Sequence, residues 1–204
     1  MDAFKAAYTE NVKMKPDLLD MEKYEKRGAY HWDKYDKQRK TKDGYTGVVK
    51  YFCDVEPNAG QDIVEVGCGD GLWIHLLEKN GYKICGVDAN EVAVKLAHEK
   101  GVKNVTHSFI LDYKIKHDVC IMFDAFEHFE EPEKCVEKLT ELISDRIYLL
   151  NPLWESPKYH FDFYDTPKLV NLFKDNWDLT HEKIFNKHTK RRKSFMQFTR
   201  RKNG

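Results

Sequence analysis

Apolar residues recur along this chain with two different periods, and each change of period marks an element boundary. Short apolar runs at 63–66, 83–87, 105–111, 117–123 and 146–150 read as strands, the first of them buried on both faces. Between them the apolar positions move to helical spacing. One helix follows Gly71 through Leu72-Trp73-Ile74-His75-Leu76-Leu77 and stops at Asn80-Gly81. A second covers 91–100, with Asn90 as N-cap and Gly101 as its stop. A third opens near Pro132 and turns Cys135, Val136, Leu139, Leu142 and Ile143 inward. A fourth opens at Thr166-Pro167, with Leu169, Val170, Leu172 and Phe173 inward. Residues 177–185 and 194–199 close the chain as a hairpin. Strands that alternate with helices call for parallel pairing. The expected fold is therefore α/β: a doubly wound, mostly parallel seven-stranded sheet with a C-terminal antiparallel hairpin and an N-terminal helical cap. The cap takes residues 1–55 as part of the same domain, and the core takes 56–204.

The first strand runs into Gly67-Cys68-Gly69-Asp70-Gly71, three glycines on alternate positions, with Glu65 two residues ahead of the first. Without a Cβ, such a turn adopts positive φ and lets a ligand lie against the backbone. The helix beginning there aims unpaired N–H groups at the same spot, which suits a carboxylate or phosphate. The spacing departs from the dinucleotide fingerprint G-x-G-x-x-G. Seventeen residues past Gly71, the second strand ends in Asp88. An acid at that tip is placed to accept hydrogen bonds from both hydroxyls of a ribose. Turn and acid together predict a site for an adenosine-type cofactor.

Val64-Glu65-Val66-Gly67-Cys68-Gly69-Asp70-Gly71, followed by Val87-Asp88, resembles motifs I and II of the class I S-adenosylmethionine (SAM)-dependent methyltransferases. The resemblance continues through Asp112, Asp124-Ala125-Phe126-Glu127-His128 and Leu149-Leu150-Asn151-Pro152, and covers about two thirds of the chain, from Asp62 onward. It implies a Rossmann-like methyltransferase core with SAM as cofactor. Glu65, Gly67, Gly69 and Gly71 would hold the methionine portion, Asp88 the ribose and Asp112 the adenine amino group. Ala89 and Asp124 complete the expected cofactor set. An ordinary turn-capping aspartate is the alternative for Asp112. Residues 46–52 are similar to the helix that precedes the first strand in this class. Many of its enzymes shape the substrate site with a lid before that strand, and residues 28–35 are dense in aromatics. Trp32 or Tyr30 would then lie against the sulfonium, an aromatic–cation contact of roughly 0.5–2 kcal/mol. The other reading of the same segment is a solvated helical cap whose aromatics pack on the domain.

The glycine turn, Asp88, Asp112 and Asp124 all fall at carboxyl ends of strands, where an open α/β sheet takes its ligand, here between strands one and four. Chemistry is expected at Asp124-Ala125-Phe126-Glu127-His128. If the chain turns helically there, Asp124, Glu127 and His128 share one face. His128 is the candidate catalytic residue, a general base for the acceptor's hydroxyl or amine. The second reading is that it only borders the pocket, since methyl transfer from a sulfonium needs mostly in-line positioning. A third reading joins Asp124, Glu127, His128 and His160 around a divalent ion. That set resembles the acid-x-x-Glu-His pattern of small-RNA 2′-O-methyltransferases and of some quinone-pathway O-methyltransferases, with Asp124 replacing the first glutamate. No metal is assigned on this basis. Asn151-Pro152-Leu153-Trp154 follows strand five, so its likeness to an Asn-Pro-Pro-aromatic motif after strand four is discounted, and Pro152 reads as a strand-ending turn. Residues 154–164 are either a substrate wall or a hydrophobic loop on the sheet edge.

Composition narrows the classes. The 204 residues, 41% hydrophobic and 13% aromatic, suffice for one domain with a sizeable core. No run approaches a membrane span and the N-terminus is not a signal peptide, so no membrane partner is expected. Five cysteines without C-x-x-C spacing read as reduced thiols, Cys85 and Cys120 within strands, and favour the cytoplasm. Lys187, Lys190, Arg191, Arg192 and Lys193 crowd the hairpin loop, followed by Arg200, Arg201 and Lys202. Such a loop binds phosphates or is merely solvated, and the zero net charge argues against a dedicated nucleic-acid binder. The expected function is methyl transfer from SAM to an oxygen or nitrogen of a small-molecule acceptor. An RNA 2′-O-methyltransferase and a non-catalytic cofactor-binding partner are the alternatives.

Overall fold

Asn90 acts as its place before an apolar period predicts: its side chain accepts a hydrogen bond from the Ala93 N–H at 3.1 Å, and a helix starts at Glu91. Asp165 does the same for the Lys168 N–H at 3.0 Å, ahead of Thr166-Pro167. The computed structural model describes residues 45–57, 60–153, 162–188, 190 and 192–202. Their helices are α1 (Tyr45–Val55), α2 (Leu72–Glu78), α3 (Glu91–Glu99), α4 (Pro132–Leu142) and α5 (Thr166–Phe173). Their strands are β1 (Ile63–Val66), β2 (Ile84–Asp88), β3 (Val105–His107), β4 (His117–Phe123), β5 (Ile143–Pro152), β6 (Trp177–Phe185) and β7 (Lys193–Arg200).

Among the described residues these strands form one seven-stranded sheet in the order β3-β2-β1-β4-β5-β7-β6. The first five are parallel, while β7 runs antiparallel to both β5 and β6. Alternate residues of the central strands feed two cores. Ile63, Val119, Ile121 and Phe123 pack with α1, α2 and α3 through Phe52, Ile74 and Ala97. Val64, Val66, Cys120 and Met122 pack with α4 and α5 through Leu139, Leu169 and Phe173. The sheet is thus doubly wound, as the alternation of elements predicts. Among the described residues no helix is long and apolar enough to cross a membrane.

Helix α1 is tied down at its end by a buried polar network. The Glu56 carboxylate accepts from Tyr148 Oη at 2.8 Å and pairs with Arg146 Nη1 at 3.1 Å, while Tyr82 Oη donates to the Glu56 carbonyl. Such a charge is tolerable inside only because it is paired and hydrogen-bonded.

Two strand boundaries and one helix face differ from the sequence expectation. The third strand ends at His107 rather than reaching residue 111; Ile110–Asp112 forms a 3-10 turn that buries Ile110 and leaves Leu111 46% exposed. As a sheet edge, β3 has a single partner to hold it in register. Ile143 belongs to β5 rather than to the preceding helix, where β4 pairs with it through His117, and β5 extends to Pro152 because β7 pairs with it as far as Lys193. Val170 faces outward at 36% exposure, since a helix as short as α5 turns mainly Leu169 and Phe173, four apart, to the core. Residues 1–44, and with them Trp32, Tyr30 and most of the expected cap, lie outside the described residues, as do His160 and most of the expected substrate wall.

Candidate functional site

The carboxyl ends of β1 and β4 are adjacent in the sheet, and chain order reverses direction between them. This is the switch point at which an open α/β sheet presents its crevice. The turn after β1 is held by β2: the Gly67 and Cys68 amides donate to the Val87 carbonyl at 2.9 and 3.3 Å. Gly67 has φ 73°, and a Cβ placed on it would stand 2.7 Å from Ala125 Cβ. The glycine therefore lets the turns after β1 and β4 close on each other. Gly69 and Gly71 also have positive φ, 54° and 77°. The Gly71 amide closes the turn on Cys68 O at 3.0 Å, so the glycine amides serve the turn itself.

Asp88 ends β2 beside this turn, half-buried. Its Oδ2 accepts from the Gly69 N–H at 2.7 Å and its Oδ1 from the Asn90 N–H at 2.8 Å. Burial pushes its carboxyl above the ordinary range, and those two amides oppose the rise. One side chain thus locks the glycine turn to the start of α3. The carbonyl of Ala89 next to it lies 3.1 Å from His107 Nε2. Asp70, in the turn, pairs with Lys100 Nζ at 2.8 Å; burial still raises its carboxyl, with Lys100 opposing. Asp112 stands exposed at the end of the 3-10 turn after β3, its amide bonded to Phe109 O at 3.1 Å.

Glu65 is the anomaly of the site. It is 0% exposed, between Gly86 and Ile121 in the sheet register. Among the described residues neither carboxylate oxygen has a hydrogen-bond partner of normal geometry. Burial first, then the nearby Asp88 and Asp70, push its carboxyl well above the ordinary range, and the Ile74 amide offsets only part of that.

At the end of β4 the chain makes a strained corner. Asp124 has φ 55°, in the left-handed region uncommon for residues with a side chain, and Phe126–His128 forms a 3-10 turn. The one-face expectation for this stretch is not met, because that turn is too short and tight to align positions four apart. The Glu127 side chain is 3% exposed and points inward, whereas His128 is 49% exposed, with 4.0 Å between its Nε2 and Glu127 Oε1. Burial and the neighbouring Asp124 push the Glu127 carboxyl up to about 8, against the pull of Lys193. Among the described residues no three His, Cys, Asp or Glu side chains cluster as a metal ion would need. The fourth member of the quartet, His160, lies outside those residues.

Lys193 is the residue of this rim that sequence reasoning did not assign to it. Read as part of a basic loop, it instead opens β7, opposite Pro152, and pairs with the Asp124 carboxylate. Its ammonium also stands 5.6 Å from the centre of the Tyr45 ring of α1. No local signal in the sequence marks that contact.

A doubly wound sheet of this strand order, with a glycine turn and strand-end acids at the switch point, defines the class I methyltransferase architecture. A family model described as a methyltransferase domain matches residues 35–194, and the chain belongs to that family. A ubiquinone biosynthesis O-methyltransferase of Nitrosospira multiformis is 25% identical over 142 residues, 65% of this chain and 59% of the relative. The chain thus spans about three fifths of the length of that curated relative. Among solved structures, magnesium protoporphyrin IX methyltransferase from Synechocystis PCC 6803 with bound SAM superposes with a TM-score of 0.63 at 19% identity, covering 92% of this chain and 87% of its own. The N-methyltransferase NodS from Bradyrhizobium japonicum WM9, in complex with S-adenosylhomocysteine (SAH), has a TM-score of 0.63 at 9% identity, covering 83% of this chain and 98% of its own. At these identities the structural likeness is one of fold.

Proposed function

We propose that the protein is a SAM-dependent methyltransferase acting on an oxygen or nitrogen of a small-molecule acceptor. The observation that carries this is the coupling of the glycine turn to Asp88, Gly69 N–H to Asp88 Oδ2 at 2.7 Å, on the rim of the switch point. Each Asp88 oxygen has one backbone donor and keeps acceptor capacity for a ribose hydroxyl. The buried Glu65 carboxyl, which no cation of the described residues pairs, fits a ligand that carries an ammonium group, as the methionine portion of SAM does. Glu65, Gly67, Gly69 and Gly71 would hold that portion, Asp88 and Ala89 the ribose, and Asp112 the adenine edge. Asp124 and, from the N-terminal segment, Trp32 would border the reacting centre, with the segment that precedes α1 as a lid on the core.

When bound, SAM supplies an electrophilic methyl group on a sulfonium. The chain's task is then to align the acceptor and take its proton. His128, half-exposed at the end of β4, is the proposed base. The names of the curated relatives favour an oxygen acceptor. Five free cysteines fit a reducing compartment, and we assign the protein to the cytoplasm.

The test is SAH production from SAM with a metabolite extract, then with RNA. Formation with the extract and not with RNA is the expected result. Formation with RNA alone overturns the acceptor class, and binding of SAM without turnover in either identifies a non-catalytic partner.

A further inference from the structure

We propose that the turn joining β6 to β7 is the acceptor subsite, and that the acceptor carries a carboxylate or phosphate bound by Lys187, Lys190 and Arg192. This rests on the SAM reading above and adds the charge class of its acceptor. Strand direction places the turn. β7 runs antiparallel to β5 with Lys193 opposite Pro152, and β6 ends at Phe185, opposite the same Lys193. Residues 186–192 therefore stand at the carboxyl edge of the sheet, the edge that carries the glycine turn and Asp88. The Leu153 amide, just past β5, donates to the Arg192 carbonyl at 2.8 Å and ties the turn down there. Lys193 joins it to the cofactor site on two sides. Its ammonium pairs with Asp124, whose neighbour Ala125 closes on Gly67. It also stands 5.6 Å from the centre of the Tyr45 ring. That ring lies 4.9 Å from the ring of Trp73, at the start of the helix that the glycine turn opens.

Charge divides this edge into two halves. Asp88, Asp112, Asp124 and Glu127 follow the ends of β2, β3 and β4, while Asp70 after β1 is offset by Lys100. That half suits SAM, whose sulfonium and ammonium outweigh its carboxylate. The turn 186–192 is the opposite, with no acid in its sequence. Lys187, Lys190 and Arg192 are exposed and join no ion pair among the described residues, whereas Lys193 is neutralised by Asp124. Acids on the flanking segments are engaged elsewhere: Asp162 with Lys168, Asp165 with the Lys168 N–H, and Glu182 with the Thr166 and Ser194 hydroxyls. Uncompensated like charges on one short turn repel each other, and an anion held among them relieves that cost. Carboxylates and phosphates accept charge-assisted hydrogen bonds from lysine and arginine alike. Three exposed cations match a small anion; a nucleic-acid backbone calls for a longer track, which a net charge of zero does not favour. An acceptor anchored on the turn reaches past Lys193 to the corner at Asp124, where His128 stands.

The experiment divides a metabolite extract on an anion exchanger and measures SAH formation from SAM with the retained and the flow-through fractions. The proteins are the full chain, the turn variant Lys187→Ala/Lys190→Ala/Arg192→Ala, and the control Lys79→Ala/Lys95→Ala/Lys103→Ala. The control removes the same charge from exposed positions off the turn. We expect turnover with the retained fraction, and a wild-type kcat/KM that falls as salt rises. The turn variant should need at least about tenfold more of that fraction for half-saturation, with a flatter salt dependence. Its affinity for SAH in calorimetry should be unchanged, and the control should match wild type throughout. Turnover confined to the flow-through, or equal half-saturation in the two variants, overturns the proposal while leaving the SAM reading intact. Turnover with RNA and with neither fraction overturns it together with the small-molecule acceptor. No SAH from any source overturns the methyltransferase reading and the proposal alike. Should the turn variant fail to fold, the contrast between fractions and the wild-type salt dependence decide.

Discussion

The ammonium of Lys193, at the start of β7, is paired with the carboxylate of Asp124, at the carboxyl end of β4. The two side chains are 16% and 26% exposed, so the pair is largely withdrawn from water at the rim of the site. Lys193 also pulls down the Glu127 carboxyl, which burial and Asp124 push up to about 8. Three groups thus share charge where the chain makes its left-handed corner at Asp124. Removing one partner of a buried pair typically costs 3–5 kcal/mol, and the partial exposure here reduces that to about 1–2 kcal/mol. Lys193→Met is expected to lose that much in urea unfolding, and the double variant Lys193→Met/Asp124→Asn to recover part of it. Strictly additive losses would show that the pair contributes no coupling.

The part of this site that was legible in the sequence is local. Asn90, Gly101 and Pro132 act within one turn of where they stand, and the Gly67–Gly71 turn and Asp88 are linked by a single strand–helix–strand unit. Lys193 was not legible, because it reaches Asp124 through a register, Pro152 opposite Lys193, that two antiparallel strands establish only after folding. The separate environments of Glu127 and His128 were not legible for a different reason. Periodicity assumes a regular helix, and a 3-10 turn entered from a positive-φ residue rotates the two side chains to opposite environments.

Gly67 should be the least replaceable glycine of the turn. Alanine there meets two penalties, a φ of 73° and a Cβ 2.7 Å from Ala125 Cβ. Gly81 supplies the control, with φ 87° and nothing within 4 Å of an added Cβ. Gly81→Ala should cost about 1–2 kcal/mol for the left-handed backbone alone. Gly67→Ala should cost a further ~1–3 kcal/mol for overpacking. Equal losses in unfolding midpoint would mean that the β1 and β4 turns separate freely.

Ligand-free stability should fall as pH rises. Glu65 is raised well above its ordinary value in the fold. Its contribution is therefore fully present below the unfolded-state value of about 4.3 and is lost progressively as pH climbs toward the folded one. The slope from this group alone is at most about 1.4 kcal/mol per pH unit. Glu127, raised to about 8, adds a slope of the same sign up to that pH. Urea unfolding at pH 5, 6.5 and 8 should show Glu65→Gln gaining on wild type as pH rises. Parallel curves for the two proteins would remove Glu65 as a buried acid.

Asp88→Ala should weaken SAH binding by roughly 1.5–3 kcal/mol, the scale of hydrogen bonds to a charged group. Because the proposed contact is to the ribose, 5′-methylthioadenosine should lose the same amount. Asp88 also anchors the Gly69 and Asn90 amides, so some loss of fold stability accompanies the change. Asp88→Asn keeps one acceptor oxygen and should fall between wild type and alanine in calorimetry. Unchanged affinity in Asp88→Ala takes the residue out of the site.

His128 separates the chemical roles open to the end of β4. It is the exposed member of that corner, with Glu127 sealed behind it at 4.0 Å. As the base that takes the acceptor's proton, its replacement by alanine should lower kcat by ~10²–10⁴. SAH affinity should barely change, because Asp88 and the glycine turn are untouched. The loss should shrink at high pH with an acidic acceptor, which ionises without help. A residue that only borders the pocket would cost less than about tenfold and shift KM more than kcat. Metal ligation would give a third pattern: chelator would reproduce the variant in wild type, one divalent ion would restore activity, and Glu127→Ala would fail alike. We expect the first pattern, and activity that vanishes in chelator and returns with a single divalent ion would replace the base with a metal centre.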